Sequence, residues 1–420
     1  MSADQHRRSV LGIAGLAAIA IAILLLFVTA DGTPSGSRRL FGLWQTRYFI
    51  LSFFLFLLAA GAFAEAVSRQ IFLVFLSVGM SSGACLILLE IAGATGAISW
   101  PALLGPRGSA LGAEPAPNLD ISGMSYQDTA SGWGMPSGPI PFRYKTDRRG
   151  FRNEQDRADA EIYLVGDSVL VAALVPFPDT VTARLERLIQ RPVAQVALIG
   201  KSPQEVQQLF RDSGLPIKGR LVIQFVFEDN DLIDSKRFRQ PPMSAQQTSW
   251  RENSLTNQLI LKLQILTQPV SGTASLRTCK IEDQNYTFLW GRQSFAGLEE
   301  EIGVIESSLQ DFGAEIRQSG GQFGVVFVPA KLRVLGPVCQ FPSNSELSEF
   351  SSHIGPFREK LGLWAKNQRV DYLDLTEPLV AGARGNRIPW FWGDTHWNAD
   401  GHAIAAEALS NWRAVKELAR

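Results

Sequence analysis

EIYLVGDSVLVA, residues 161–172, is the stretch on which the fold turns. Ile162 to Gly166 is a short apolar run that ends at a glycine, the pattern of a buried strand feeding a tight turn. Asp167 and Ser168 follow at once, so a carboxylate and a hydroxyl stand at the strand's carboxyl end. The pattern recurs along the chain. VAQVALIG (193–200), LVIQFVF (221–227), FGVVFVPA (323–330) and VDYLDL (370–375) read as further buried strands. Helical spacing falls between them. Asp179 to Gln190 places Val181, Leu185 and Leu188 on one face, and Pro203 to Asp212 opens with proline in its first turn. Helices are also expected at 297–318 and 352–367, and Ala399 to Leu418 closes the chain. Near-continuous apolar strands alternating with helices predict an α/β domain with a parallel sheet covered on both faces. Ligands of such sheets bind beyond the carboxyl ends of the strands.

Two stretches stand outside the alternation. Residues 101–141 are rich in Pro, Gly and Ser and read as a linker and entry loop. Residues 233–296 carry a polar stretch, a helical run (Leu255 to Leu266) and an aromatic stretch from Tyr286 to Trp290. They read as an insertion in the 142–420 domain, near the rim of its site.

Residues 1–100 differ from the rest. Val10 to Ala30, Tyr48 to Ala64 and Ile71 to Leu89 are uncharged apolar runs, which predict three transmembrane helices. Trp100 falls at interface depth. Arg7 and Arg8 precede the first run, and Val28-Thr29-Ala30 resembles a signal-peptidase site. Three spans that start inside end outside, and a cleaved signal followed by two spans does the same. Arg38, Arg39 and Arg47 in the first loop, against Arg69 in the second, do not decide the orientation. The expectation is a multi-pass protein of the inner (cytoplasmic) membrane with its large domain extracytoplasmic, or periplasmic.

The chain has 420 residues, with 40 basic and 40 acidic. That balance gives no electrostatic footprint for nucleic acid. Of three cysteines, Cys85 lies in the third apolar run, while Cys279 and Cys339 are available for one disulfide outside the cytoplasm. No Cys/His cluster has metal-site spacing.

FWGDTHWNADGH, residues 391–402, supplies the partners for Ser168. Asp394 and His396 precede Asn398, a residue suited to cap the following helix, so both fall in the loop before it. A second Asp-x-His, Asp400-Gly401-His402, lies inside that helix, where His402 reads as packing. His6 precedes the first apolar run, and His353 sits at an expected helix start. Ser168 is the candidate nucleophile, His396 its base, and Asp394 the carboxylate that orients the imidazole. Candidate oxyanion donors are the N–H of Ser168, the N–H of Gly200 and the side-chain amide of Asn230.

Gly-Asp-Ser after strand one, Gly after strand two, Asn-Asp after strand three and Asp/His before the last helix resemble the SGNH (GDSL-like) hydrolase and acyltransferase superfamily, over residues 142–415. YKTDRRGFRN (144–153), FVPAK (327–331) and DTHWN followed by Gly401-His402 are similar to the bacterial envelope branch related to alginate-type O-acetylation proteins. The resemblance implies a flavodoxin-like three-layer α/β/α domain and no dissociable cofactor. It assigns the name-giving roles to Ser168, Gly200, Asn230 and His396. Three positions depart from the pattern. Glu228 stands where many members have glycine, one residue rather than two separates Asp394 from His396, and Lys201 follows Gly200.

The function so implied is a membrane-anchored serine esterase or O-acyltransferase. It would act on acyl esters of envelope glycans through an acyl-Ser168 intermediate, with the bilayer, and a membrane protein that hands over the acyl group, as partners. A lipid or thioester hydrolase and a catalytically silent assembly subunit are the alternatives. Glu228, a carboxylate beside an oxyanion site, keeps the last of these open.

Overall fold

A computed structural model describes residues 3–28, 39–40, 44–95, 97–98, 115–132, 138–239, 254–256, 259, 277–288, 298–343, 345, 347 and 355–418. The chain forms two compact units, one of residues 1–105 with 246–271 and one of residues 106–245 with 272–420.

In the first unit, β1 (Arg39–Leu40) pairs antiparallel with β2 (Trp44–Gln45). Three helices run from Ala3–Val28, Thr46–Val67 and Arg69–Ala94. Ser52 Oγ donates to the Ala22 carbonyl at 3.0 Å, and Arg7 pairs with Glu65, so polar links tie the first helix to the second. Among the described residues two helices, not the expected three, are long and apolar enough to cross a membrane, over His6–Ile23 and Arg69–Ala94. Among the described residues the middle helix, Thr46–Val67, contributes the shorter apolar stretch Leu51–Val67. Leu73, Val74, Val78 and Leu88 lie more than half exposed along Arg69–Ala94. Residues 254–256 belong to this unit: the Glu90 carboxylate accepts from the Leu255 and Thr256 N–H groups at 3.2 and 2.7 Å. Most of the expected Leu255–Leu266 helix, and residues 289–290, 352–354 and Trp100, lie outside the described residues.

The second unit begins with a hairpin. β3 (Asp120–Ser125) and β4 (Ile140–Lys145) pair antiparallel, with the turn of helix Asp128–Gly132 between them. Part of the stretch read as a linker is therefore sheet. Five strands then form one parallel sheet: β5 (Ile162–Gly166), β6 (Val193–Ala197), β7 (Leu221–Phe227), β10 (Gln322–Val328) and β11 (Asp371–Asp374). A second hairpin, β8 (Thr278–Ile281) and β9 (Gln284–Thr287), lies in the stretch read as an insertion. The Cys279–Cys339 disulfide ties it to the segment after β10.

Both faces of the central sheet are buried, which is why its strands read as continuous apolar runs. Along β5, Ile162 and Leu164 enter one core, with Val181 and Leu185 of helix Val181–Ile189 and Ile404 and Leu409 of helix Ala399–Asn411. Tyr163 and Val165 enter the other, with Phe210 of helix Pro203–Asp212, Ile305 and Phe312 of helix Glu299–Gln318, and Phe357 of helix Phe357–Gln368. This is the expected three-layer α/β/α arrangement. The sheet order is β11-β10-β7-β5-β6. With the five strands numbered in chain order and read from the β6 edge, that is the 2-1-3-4-5 order of flavodoxin-like folds, in which direction reverses between the first and third strands. The crevice outside that reversal lies at the ends of β5 and β7, where Ser168 and Asn230 follow.

Two boundaries differ from the pattern. β6 stops at Ala197, because Leu198 to Gly200 leave the sheet for a turn. The closing helix breaks at Trp412, whose extended backbone (φ −70°, ψ 139°) separates Ala399–Asn411 from Arg413–Leu418.

Candidate active site

Ser168 opens a short helix, Ser168–Val171, directly beyond β5. The cap is Asp167, whose carboxylate accepts from the Val169 N–H at 3.2 Å, so the hydroxyl of Ser168 is not used as a cap. Ser168 is 8% exposed, and its Oγ lies 3.4 Å from Asp167 Oδ2. Gly166 is required by close packing: a Cβ there would lie 2.9 Å from Leu170 Cδ1 and 3.1 Å from Phe225 Cβ. The 144–153 segment braces this turn. The buried Arg152 guanidinium donates to the carbonyls of Val171, Ala172 and Val175 at 2.7, 2.5 and 2.8 Å. Ala172 has left-handed backbone (φ 52°), and Arg152 holds the carbonyl of that residue in place.

His396 and Asp394 meet as expected. Asp394 Oδ1 lies 2.7 Å from His396 Nδ1 and also accepts the His396 N–H at 2.9 Å. An ionised carboxylate only accepts, so Nδ1 carries the hydrogen and Nε2 is the basic nitrogen. Asn398 caps the following helix, accepting from Asp400 and Gly401 N–H at 3.0 and 3.1 Å, which leaves Asp394 and His396 in the loop. Burial alone would lower the His396 pKa. The hydrogen bond and charge of Asp394, with Asp128 and Asp167 beyond it, outweigh burial and raise it to about 9. Burial pushes the Asp394 carboxyl up, yet the His396 contacts and the Asp128 N–H hold it below the usual carboxylate range. His402 is fully buried and its Nδ1 accepts from the Val181 N–H at 3.2 Å, so it serves packing. Burial pushes its pKa down to about 3. His353 lies outside the described residues.

The oxyanion candidates are placed unevenly. Gly200 has φ +70°, a conformation that favours glycine; a Cβ there would meet nothing within 4 Å, and its carbonyl accepts from Arg237 at 2.8 Å. Asn230 is engaged: its Nδ2 donates to Asp167 Oδ2 at 3.3 Å and to Asp234 Oδ2 at 2.9 Å. Among the described residues no hydrogen bond joins Ser168 to His396 or Asn230; Asp167 links Ser168 to Asn230 instead. Burial raises the Asp167 pKa against the hydrogen bonds of Val169 and Asn230 and the charge of His396.

The departure at Glu228 has a structural answer. Its carboxylate turns away from the strand end and pairs with the buried Arg333 guanidinium at 2.5 and 2.7 Å, and it also accepts the Ala330 N–H at 2.9 Å. Asp229 Oδ2 accepts the Lys331 N–H at 3.3 Å, and burial with the Glu228 charge raises its pKa to about 7. Lys201 lies 3.7 Å from Glu205, which closes a capping box with Ser202.

Two residues given no site role by the sequence lie beside these groups. The buried Lys331 ammonium donates to the carbonyls of Phe391, Trp392 and Asp394 at 2.8, 3.1 and 2.9 Å. It lies 5.7 and 5.6 Å from the Tyr286 and Phe288 ring centres. Burial lowers its pKa to about 7, against the charges of Asp394, Asp128 and Asp229. Asp128, from the segment read as linker, lies 3.8 Å from His396 Nδ1, and its backbone N–H donates to Asp394 Oδ2 at 2.8 Å. FVPAK signals the lysine as a motif; Asp128 carries no sequence signal of its own. Asp128, Asp394 and His396 bring one ligand atom each within 4.8 Å of one another. Those atoms are turned on each other in the contacts above. A cavity of about 490 Å³ lies elsewhere, lined by Lys201, Gln204, Gln207, Arg211 and Phe238, and contains none of the candidate catalytic residues.

No family model matches the chain, and no curated protein matches it. Among solved structures, it is similar to the acetyl xylan esterase AlAXEase at 11% identity and TM-score 0.35, over 59% of this chain and 96% of that one. It is similar to an acylhydrolase from Bacteroides fragilis NCTC 9343 at 10% identity and TM-score 0.33, over 63% and 90%. A lipolytic protein of the G-D-S-L family from Desulfitobacterium hafniense DCB-2 matches at 13% identity and TM-score 0.33, over 59% and 97%. At these scores the chemistry of the site rests on its own residues.

Proposed function

We propose that the chain is a serine esterase or O-acyltransferase of SGNH type, working through an acyl-Ser168 intermediate. The observation that carries this is the 2.7 Å His396–Asp394 contact in a chain whose Gly-Asp-Ser turn occupies the sheet's reversal point. Ser168 Oγ leaves Asp167 and attacks the carbonyl carbon of an ester, and its proton passes to His396 Nε2. The tetrahedral oxyanion is held by the N–H groups of Ser168 and Gly200, with the Asn230 amide joining once it releases a carboxylate. The leaving alcohol takes the proton from His396. Water or a sugar hydroxyl, deprotonated by His396, then removes the acyl group from Ser168.

On this reading the large unit lies outside the cytoplasm, anchored by the helices of residues 3–94, with acyl esters of envelope glycans as substrate. The Cys279–Cys339 disulfide favours an oxidising compartment, and the apolar helices His6–Ile23 and Arg69–Ala94 favour a bilayer. The pairing of Glu228 with Arg333, which offsets that carboxylate's charge, supports a working oxyanion site.

The test is turnover of p-nitrophenyl acetate by the full chain in detergent, beside Ser168→Ala. Serine-dependent release of nitrophenol supports an acyl-enzyme route, and added polysaccharide then separates transfer from hydrolysis. Equal rates from two folded proteins would overturn the assignment in favour of a silent assembly subunit.

A further inference from the structure

The loop that carries the base is held from outside the α/β core. Gln127 Oε1 accepts the Gly393 N–H at 2.7 Å, and the Ala130 N–H donates to the Gly393 carbonyl at 2.8 Å. Asp128 Oδ1 accepts the Thr395 N–H at 3.0 Å, and Asp128 Oδ2 accepts the Thr395 hydroxyl at 2.5 Å. Gln127 to Ala130 thus grips Gly393 to Thr395 on both sides of Asp394. Backbone bonds would suffice for a clip. Asp128 adds a charge, and its ion-pair partner among the described residues is His396, at 3.8 Å.

We propose that Asp128 is a second carboxylate partner of His396, a positioning residue supplied by the β3–β4 segment, so that the acid–base unit is Asp128–Asp394–His396. The two carboxylates differ in setting. The Asp394 side chain is 2% exposed and makes the short bond to Nδ1, whereas that of Asp128 is 40% exposed and acts through space and through Thr395, whose hydroxyl lies 3.3 Å from Nδ1. The inner group fixes the ring; the outer one stabilises the imidazolium that forms when Ser168 gives up its proton. This rests on the assignment of His396 as base.

Charged groups around His396 are Asp394 and Asp128 on Nδ1, and Asp167 at the nucleophile turn. The Lys331 ammonium opposes them from beneath the loop, and the buried His402 lies behind Trp397. Removing the Asp128 charge disfavours the protonated ring, so the His396 pKa falls.

The experiment titrates His396 by NMR in the full chain in detergent, with the signal assigned by His396→Gln, and measures the pH profile of ester kcat/KM beside it. Asp128→Asn keeps an acceptor for the Thr395 N–H and removes the charge. It is expected to move the His396 titration and the acid limb of the profile down by roughly half a pH unit, the scale of a partly exposed ion pair. Thr395→Val keeps the charge and loses the hydroxyl route, so it is expected to move the titration less than Asp128→Asn does; a shift as large as that of Asp128→Asn would overturn the direct role of the Asp128 charge. An unshifted titration in Asp128→Asn would overturn the proposal and leave Asp128 a structural clip. The NMR titration does not depend on turnover, so a wild type that titrates as expected but cleaves no ester would refute the esterase assignment, not the Asp128–His396 coupling.

Discussion

Replacing Lys331 with methionine separates what holds the fold from what holds the catalytic loop. The ammonium is 4% exposed and donates three hydrogen bonds, all to carbonyls of residues 391–394. Bonds to a charged donor contribute roughly 1.5–3 kcal/mol each, or about 4.5–9 kcal/mol for three. Burial opposes this: lowering the pKa from 10.5 to about 7 corresponds to about 5 kcal/mol against the charged form. Methionine has a similar length and no charge to bury but leaves these carbonyls without their donor, so Lys331→Met is expected to lose on the order of 4 kcal/mol of stability. Activity responds to geometry instead. The released carbonyls belong to the loop that aims His396, and a 1 Å misplacement can cost about a hundredfold in rate. Urea unfolding followed by tryptophan fluorescence reads the first effect, and kcat on p-nitrophenyl acetate reads the second. Lys331→Met that folds and keeps kcat within about twofold of wild type would refute the role given to this lysine.

Arg333→Met leaves the Glu228 carboxylate buried at 2% exposure without its guanidinium, and a loss of about 3–5 kcal/mol is expected in urea unfolding. Glu228→Gln combined with Arg333→Met is expected to lose less than Arg333→Met alone; additive losses would show that the pair is not coupled. The Cys279–Cys339 disulfide spans 60 residues, so Cys279→Ser is expected to lose up to about 4 kcal/mol, read as a drop in Tm that dithiothreitol reproduces in the wild type. With the His396 pKa near 9, kcat/KM for an ester is expected to rise with pH until the imidazole is neutral. A profile flat from pH 6 to 9 would contradict the assignment of His396 as base.

The central sheet is legible because its strands are buried on both faces and so read as unbroken apolar runs. Ser168, Asp394 and His396 are legible because each lies in a local signature at an element boundary: a strand-end turn, or the loop before a capped helix. The partners that complete the site are not local. Asp128 acts on a residue 268 positions later, and Arg333 neutralises a carboxylate 105 positions earlier. Neither belongs to a periodic pattern, and only folding brings them together. The hairpin Asp120–Lys145 was hidden by composition, since Gly123 and Pro141 break its alternation. In the hairpin Thr278–Thr287, the reversal at Glu282 uses a left-handed residue that is not glycine, so no standard turn signal marks it.

The most direct test is to quench the full chain with acid during ester turnover and map the acyl adduct by peptide mass spectrometry. The account predicts an acyl group on the peptide containing Ser168, absent from Ser168→Ala and accumulating when His396 is replaced by glutamine only to the extent that acylation survives. An adduct on another residue, or turnover with no adduct in wild type and unchanged rates in Ser168→Ala, would contradict it.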